Sequence, residues 1–341
     1  MKILVVGSKE VYSIENIYVR NLQDLGADVT QFPAQSIFFN YYQHSLVNKL
    51  LFKAGISGIY KSINNELLAL AKAGKPDIIW VFKGMEIYPK TLRQLKENAT
   101  LLVNFNPDNP FIFSGSGSGN NNVGASIEHF DLHLTYNLDV KERLEDEYGA
   151  KVEILPFGFE YSNDILSGCL QQKEINKVCF LGNPDEFRVS FIKKLIASGI
   201  PMDLYGHGWD VYFKKSEAGV YNAVYGTEFW KTLYRYRVQL NYMRPHNLRS
   251  HNMRSFEIPG IGGIMLAPRT PDHELYFTDH KEVFLYDNIE DCIGTAKKLL
   301  SMASEETDQI RSSAKNRSIS EAYDYKSRAK FVLRLFQQRY A

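Results

Sequence analysis

Twice in this chain a short apolar run closes on a glycine and gives way to helical spacing. The first is Lys2-Ile-Leu-Val-Val6 before Gly7, and the second is Lys177-Val-Cys-Phe-Leu181 before Gly182. Such a run reads as a strand buried on both faces, which requires a sheet covered by helices on both sides. Behind the first run, Ser13 can cap a helix whose Ile17, Leu22 and Leu25 fall near a 3.6-residue period and which ends at Gly26. Further strand runs stand at 28–32, 77–82, 100–105, 131–136 and 152–155, with helical stretches such as 89–97 and 138–148 between them. A polar stretch, 161–176, then interrupts the pattern. After the second run come helix 187–198, strand 202–205, helix 227–236, strands 238–242, 263–267 and 282–286, and helix 288–302. Strands alternating with helices in this way imply right-handed βαβ units and parallel sheets.

The restart divides the chain. Its 341 residues exceed the roughly 250–300 at which a single core stops growing. Two doubly wound domains are therefore expected, 1–160 and 161–322, with a cleft between the carboxyl ends of their sheets, where such sheets bind ligands. Forty Lys and Arg against 39 Asp and Glu leave a formal charge of +1, without the long-range field of a nucleic-acid binder. Cys169, Cys179 and Cys292 are odd in number and widely spaced, and read as buried thiols of a reducing compartment. The apolar run at the start is too short for a signal peptide, and no stretch approaches the ~18 apolar residues of a spanning helix. A soluble cytoplasmic protein is expected. The one low-complexity stretch, 114–122, reads as a mobile loop.

Familiar motifs fail first. The loop Gly7-Ser-Lys-Glu-Val-Tyr12 lacks the second and third glycines of a dinucleotide fingerprint. Gly119 and Gly124 imitate a P-loop, but Ala125 stands where its lysine belongs. His129, Asp131 and His133 would share one face of a strand, yet three ligands in one strand rarely converge on an ion, and no Asp-x-Asp occurs; no metal is expected. The informative stretch is 231–254. It holds Lys231, Arg235, Arg237, Arg244, Arg249 and Arg254 with His246 and His251, and no acid. A strand, a cationic loop and a helix opening at Arg254 would form an anion site, because free N–H groups and the helix dipole point at the ligand. Glu257 in that helix either complements the dipole or accepts ribose hydroxyls. Gly262 and Gly263 suit close packing or close approach of a ligand.

The run His251-Asn-Met-Arg-Ser-Phe-Glu-Ile-Pro-Gly-Ile-Gly-Gly-Ile-Met-Leu-Ala267, with Glu274 to Phe277 and Glu282-Val-Phe-Leu-Tyr286, resembles the C-terminal domain of CgeB-like (spore-maturation type) glycosyltransferases. Lys83-Gly84, Thr91-Leu-Arg-Gln-Leu95, Asn104-Phe-Asn-Pro-Asp-Asn-Pro110 and Val152-Glu-Ile-Leu-Pro-Phe-Gly158 extend the resemblance over most of the chain. It implies the GT-B fold: two Rossmann-like domains facing each other across a cleft, with a nucleotide-sugar donor on the second. It also implies a closing helix, 323–341, that returns to the first domain. The donor set it suggests is Gly182, Arg188, Arg244, Asn252, Arg254, Glu257, Gly262 and Gly263. Glu257 matches the ribose-binding Glu of the E-x7-E transferases, but the earlier Glu of that pattern is Arg249 here. The stereochemical outcome is therefore left open.

On the acceptor side Asp108, just beyond a strand, is the first choice for a base or positioning group, with His129 and Asp131 behind it. Asp108 would equally serve the turn 106–110. Phe38-Phe-Asn-Tyr-Tyr42, followed by Leu46, Lys49, Leu50, Leu51, Phe52 and Lys53, mixes aromatics and cations as interfacial helices do, or forms a helix covering the first sheet. The expected activity is a metal-independent transfer of sugar from a nucleotide diphosphate donor, of UDP, GDP or dTDP type, to a saccharide, glycolipid or protein acceptor. No further cofactor, no nucleic acid and no particular oligomeric state is implied, and peripheral contact with the inner membrane face stays open. A nucleotide-sugar epimerase of the same fold and an inert sugar-nucleotide binder are the alternatives.

Overall fold

The computed structural model describes residues 1–113, 117–243 and 249–340, with the backbone alone at 340. Arg244, His246 and the Ser114-Gly-Ser116 part of the low-complexity stretch lie outside the described residues. The chain forms two compact units, Met1–Pro156 with Tyr325–Ala341, and Phe157–Asp324.

The first unit runs β1 (Lys2–Val6), α1 (Ile14–Asp24), β2 (Asp28–Phe32), α2 (Ala34–His44), α3 (Leu46–Lys53), α4 (Ile59–Gly74) and β3 (Ile78–Phe82). It continues with α5 (Pro89–Lys96), β4 (Leu101–Phe105), α6 (Asn121–Ser126), β5 (Leu132–Thr135), α7 (Leu138–Tyr148) and β6 (Val152–Ile154). The second unit holds α8 (Asn163–Leu170), β7 (Ile175–Leu181), α9 (Glu186–Ala197), β8 (Met202–Tyr205), β9 (Gly219–Tyr221), α10 (Gly226–Arg235) and β10 (Tyr236–Leu240). Then come α11 (Arg254–Ile261), β11 (Met265–Pro268), α12 (Pro271–Tyr276), β12 (Phe284–Tyr286), α13 (Ile289–Ser301) and α14 (Ser304–Ser320). The last helix, α15 (Tyr325–Tyr340), belongs to the first unit.

Each unit is built on one six-stranded parallel sheet. The first has the order β2-β1-β3-β4-β5-β6, so the winding reverses between β1 and β3. The second has the order β12-β11-β10-β7-β8-β9 and reverses between β7 and β10. Ligands of open α/β sheets bind outside the carboxyl ends of the strands at such reversals. The central strands β3 and β4 are buried at every residue; β3 is an unbroken apolar run, and the one polar side chain of β4, Asn104, donates to the Val81 carbonyl at 3.1 Å. On one face of the first sheet Leu4, Val6, Ile79, Val81 and Leu102 meet Leu67, Leu92 and Leu95. On the other, Trp80 stands 5.0 Å from Tyr18 and 5.5 Å from Phe336 of α15. The second core joins Val178, Phe180, Leu204, Val238 and Leu266 to Ile192, Leu195 and Leu299.

Most expected elements form within a residue or two of their sequence limits. Ser13 caps α1 by accepting from the Asn16 N–H, and Gly26 takes the left-handed turn beyond it at φ +83°. Three differences stand out. The strand expected at 238–242 begins at Tyr236, because Arg237 is buried and neutralised. The polar stretch 161–176 contains α8, and α14 follows α13.

Candidate functional site

In the second unit, β7 ends at Leu181 and the loop Gly182-Asn-Pro-Asp185 leads into α9 beside the exit of β10. That loop is pinned from behind. The Trp209 indole donates to the Gly182 carbonyl at 2.7 Å, and the Asn183 side chain accepts from the His207 N–H at 2.9 Å. Asp185 caps α9 by accepting from the Arg188 N–H at 3.0 Å. The Arg188 side chain turns back over the loop: its Nη1 donates to the Asn183 carbonyl at 2.9 Å, and its Nε lies 3.4 Å from the Asp185 carboxylate. A Cβ on Gly182 would sit 3.8 Å from Arg188 Nη1 and 3.2 Å from the Phe180 ring. Gly182 and Arg188 therefore meet at the reversal point, a short backbone turn under a guanidinium held by that turn. The Tyr242 ring, on the exit of β10, lies 4.7 Å from that of Phe191 of α9 at a tilt of 47°, and burial raises its hydroxyl pKa. That residue was not among those singled out by sequence.

A buried polar network sets the start of α11. The His273 ring donates from Nδ1 to the Pro268 carbonyl and accepts at Nε2 from the Ser255 hydroxyl, both at 2.8 Å. Burial lowers its pKa to about 4, so the ring is neutral and this tautomer is the consistent one. The Ser255 hydroxyl accepts from Asn241 Nδ2 at 3.1 Å and from the Asn252 N–H at 3.2 Å. The Asn252 side chain donates to Asn241 Oδ1 at 2.8 Å and accepts from the Ser255 N–H at 3.2 Å. One turn earlier, His251 Nδ1 donates to Asp272 at 2.6 Å, and the Ser250 hydroxyl donates to the same oxygen at 3.0 Å. Arg254 and Glu257 close the first turn as an ion pair, with the guanidinium 4.4 Å above the Phe229 ring. Glu257 is buried.

This geometry corrects parts of the expected donor set. The acid-free window is not one cationic patch, since it is acid-free only along the sequence. Arg237 donates to Glu174 at 2.7 Å and to the Met302 carbonyl at 2.9 Å; Arg235 pairs with Glu228 at 3.2 Å. Both flank the first residue of β10, away from its exit. Asn252 spends its amide on the cap of α11. Gly262 and Gly263 end that helix, opposite Arg254. Gly262 takes the left-handed conformation at φ +87°, and a Cβ on Gly263 would come within 2.8 Å of Gln239 Oε1 and 3.0 Å of the Ile258 carbonyl. Both are required by the helix end and its packing.

The carboxyl edge of the first sheet holds a mixed charge cluster. Glu15, in the first turn of α1, lies against Gly7, where a Cβ would be 2.7 Å from its Cγ, and it accepts from the Ser8 N–H at 3.4 Å. A carboxylate of the protein thus occupies the position that a phosphate takes in dinucleotide sites. Burial raises its pKa. Lys83, in left-handed conformation at φ +58°, pairs with Asp108 at 2.6 Å and donates to the Gly117 carbonyl at 2.7 Å. Glu86 is 5% exposed; burial pushes its pKa up to about 7 against the attraction of Lys83. Asp108 is therefore at the expected edge, held by a lysine, while Glu15 and Glu86 went unseen in the sequence.

His129 and Asp131 stand at the opposite edge of the sheet from Asp108. Both precede β5, at its amino end, His129 in a single 3₁₀ turn at 127–129. Asp131 is used by the fold, accepting from the Leu102 N–H at 2.9 Å and pairing with Lys96 at 2.7 Å. His133 is buried with Nε2 3.0 Å from the Ile127 carbonyl. The three do not share a strand face, and among the described residues no cluster of three His, Cys, Asp or Glu could hold a metal. A cavity of about 180 Å³ lined by Lys2, Asp28 and Pro76 opens at the amino end of the same sheet, away from the reversal.

Residues 187–334 match the model of the glycosyl transferase-like family. A search of curated proteins returns no match. Among solved structures, sucrose-phosphate synthase from Thermosynechococcus elongatus aligns over 99% of this chain and 98% of its own, with TM-score 0.68 and 12% identity. HepE from Anabaena, in complex with UDP-glucose, aligns over 99% and 100%, with TM-score 0.63 and 13% identity. A UDP-N-acetylglucosamine 2-epimerase from Listeria monocytogenes, so described provisionally, aligns over 97% and 94%, with TM-score 0.56 and 13% identity. The fold is that of the GT-B glycosyltransferases, with the matched segment covering most of the second unit. The second unit thus carries a glycosyl transferase-like segment within a GT-B fold.

Proposed function

We propose that the protein transfers a sugar from a nucleotide diphosphate donor to a saccharide, glycolipid or protein acceptor without a metal, as a CgeB-like enzyme. The observation that carries this reading is Arg188 folded over the Gly182 loop at the reversal point of the domain that matches the transferase family. A diphosphate there would meet the amino end of the α9 dipole and a fixed guanidinium. Arg254 and Glu257, held by the network beneath α11, supply the second cation and a carboxylate for ribose hydroxyls. As the glycosidic bond breaks, charge grows on the leaving diphosphate, and fixed cations stabilise that state more than the bound donor. The UDP-glucose held by the HepE structure makes UDP the first nucleotide to try. Asp108, oriented by Lys83, is proposed to position the acceptor hydroxyl.

The test is calorimetric titration with UDP, GDP and dTDP. One of them should bind, and Arg188→Ala should weaken it by about 1.5–3 kcal/mol, roughly ten- to a hundredfold. Activity should persist in excess chelator. The likeness to an epimerase supplies a second reading, distinguished by its product: an epimerase alters the sugar with no acceptor, whereas a transferase releases nucleoside diphosphate only when acceptor is present. Wild-type affinity in Arg188→Ala would remove the donor site from this loop.

A further inference from the structure

Helix α3 leaves one apolar side exposed. Five of its eight residues are apolar, and none of the eight is buried. Leu46, Val47 and Leu50 are 75%, 62% and 67% exposed. At about 100° per residue they share one arc of the helix, with Lys49 and Lys53 along its rim. The opposite side is anchored: the Phe52 ring lies 4.7 Å from Phe38 of α2 and 5.3 Å from Tyr60 of α4. The end of the helix is fixed as well. Gly55, at φ +72°, donates to the Phe52 carbonyl at 3.0 Å, and Ile56 donates to the Leu51 carbonyl at 3.1 Å. This paired closure leaves Ile56 71% exposed just past the end of the helix. The expectation of a helix covering the first sheet thus holds for α2, whose Ile37 and Phe38 pack on the core, and fails for α3.

The charged side chains of the segment that carries this face have one sign. The chain carries 39 acids in 341 residues, about one in nine, yet none from Val29 to Asn65, a segment that holds His44, Lys49, Lys53 and Lys61. We infer that Leu46, Val47, Leu50 and Ile56, rimmed by Lys49 and Lys53, form a docking surface for an anionic phospholipid bilayer. The apolar side chains enter the boundary between headgroups and acyl chains while the lysines reach lipid phosphates. No helix among the described residues is long and apolar enough to cross a membrane, so the contact lies on the surface. A second copy of the chain fits this face less well, since a two-fold contact sets lysines near lysines with no acid between them.

Co-sedimentation with vesicles of phosphatidylcholine, with and without phosphatidylglycerol, tests the inference. The protein should pellet with the anionic vesicles and less so as salt rises. Lys49→Gln and Lys53→Gln should each weaken binding about fivefold. Leu46→Asp with Leu50→Asp should abolish it while the melting temperature stays unchanged, because both side chains are exposed already. The inference goes beyond the transferase reading and stands apart from it: nucleotide titration of the same variants reports on the donor site alone. Absence of wild-type binding, or binding unaffected by Leu50→Asp, overturns it. So does a dimer in sedimentation velocity that Leu50→Asp dissolves, which would assign the face to a second copy.

Discussion

A carboxyl group taken out of water keeps its proton, and Glu86 shows what that does to a fold. Its pKa rises from the usual 4.5 to about 7 because burial outweighs the nearby Lys83. Between those values the folded chain holds a proton that the unfolded chain has released. Stability must therefore fall as pH rises through the window of about 4.5 to 7 and stay reduced above it. Glu86→Gln removes the ionisable group while keeping its shape. It should stabilise the protein at about pH 8 by up to roughly 3 kcal/mol and change little below about pH 4.5. Urea unfolding across pH reads this directly; an unchanged slope would mean that Glu86 is solvated in solution. Its neighbour Glu15 explains why the first βα loop is no nucleotide site: Gly7 makes room for a carboxylate. A lone acid after a strand has no pattern around it, so neither residue could be found from the sequence.

At the scale of elements, two glycines make opposite predictions. Gly263 follows α11 with a carbonyl and a side-chain oxygen within 3.0 Å of a would-be Cβ, whereas Gly294 in α13 has nothing within 4 Å. Gly294→Ala should stabilise the protein by about 0.5–1 kcal/mol through helix propensity. Gly263→Ala should cost about 1–3 kcal/mol, because the helix end must move off β10. Thermal melts separate the two; equal effects would mean that the close approach at Gly263 relaxes freely. Elements were legible where burial was carried by apolar residues. β1 and β3 stand within a residue of where their runs of Ile, Leu, Val and Phe placed them. α14 was not legible, since its buried positions Thr307, Ile310, Ala314 and Ser318 keep a helical period but half of them are polar. The donor site was half legible. A glycine after a strand and an arginine in the next helix mark the loop, but no sequence pattern tells that Arg235 and Arg237 are neutralised by Glu228 and Glu174, which lie outside the acid-free window.

At the scale of the molecule, the first unit is made of two chain segments separated by the whole of the second. Its last helix, α15, buries Val332 and Phe336 completely, and Phe336 meets Trp80 on the face of the sheet opposite Leu67 and Leu92. Tyr325 opens the helix 5.6 Å from Tyr18 of α1. A domain of this size is stabilised by about 5–15 kcal/mol in all. Phe336→Ala deletes a fully buried ring and should cost about 3–5 kcal/mol, a large fraction of that total. The loss belongs to one unit. Hydrogen exchange should accelerate at amides of β3, which carries Trp80, and stay near wild type at β7 and β10. Nucleotide added to the variant should still slow exchange at residues 182–188, because the Gly182 loop and Arg188 draw their support from Trp209, His207 and Asp185 within the second unit. Equal acceleration in both sheets would show that the two units unfold as one cooperative body. A variant that no longer binds nucleotide would show that the donor site needs the first unit intact.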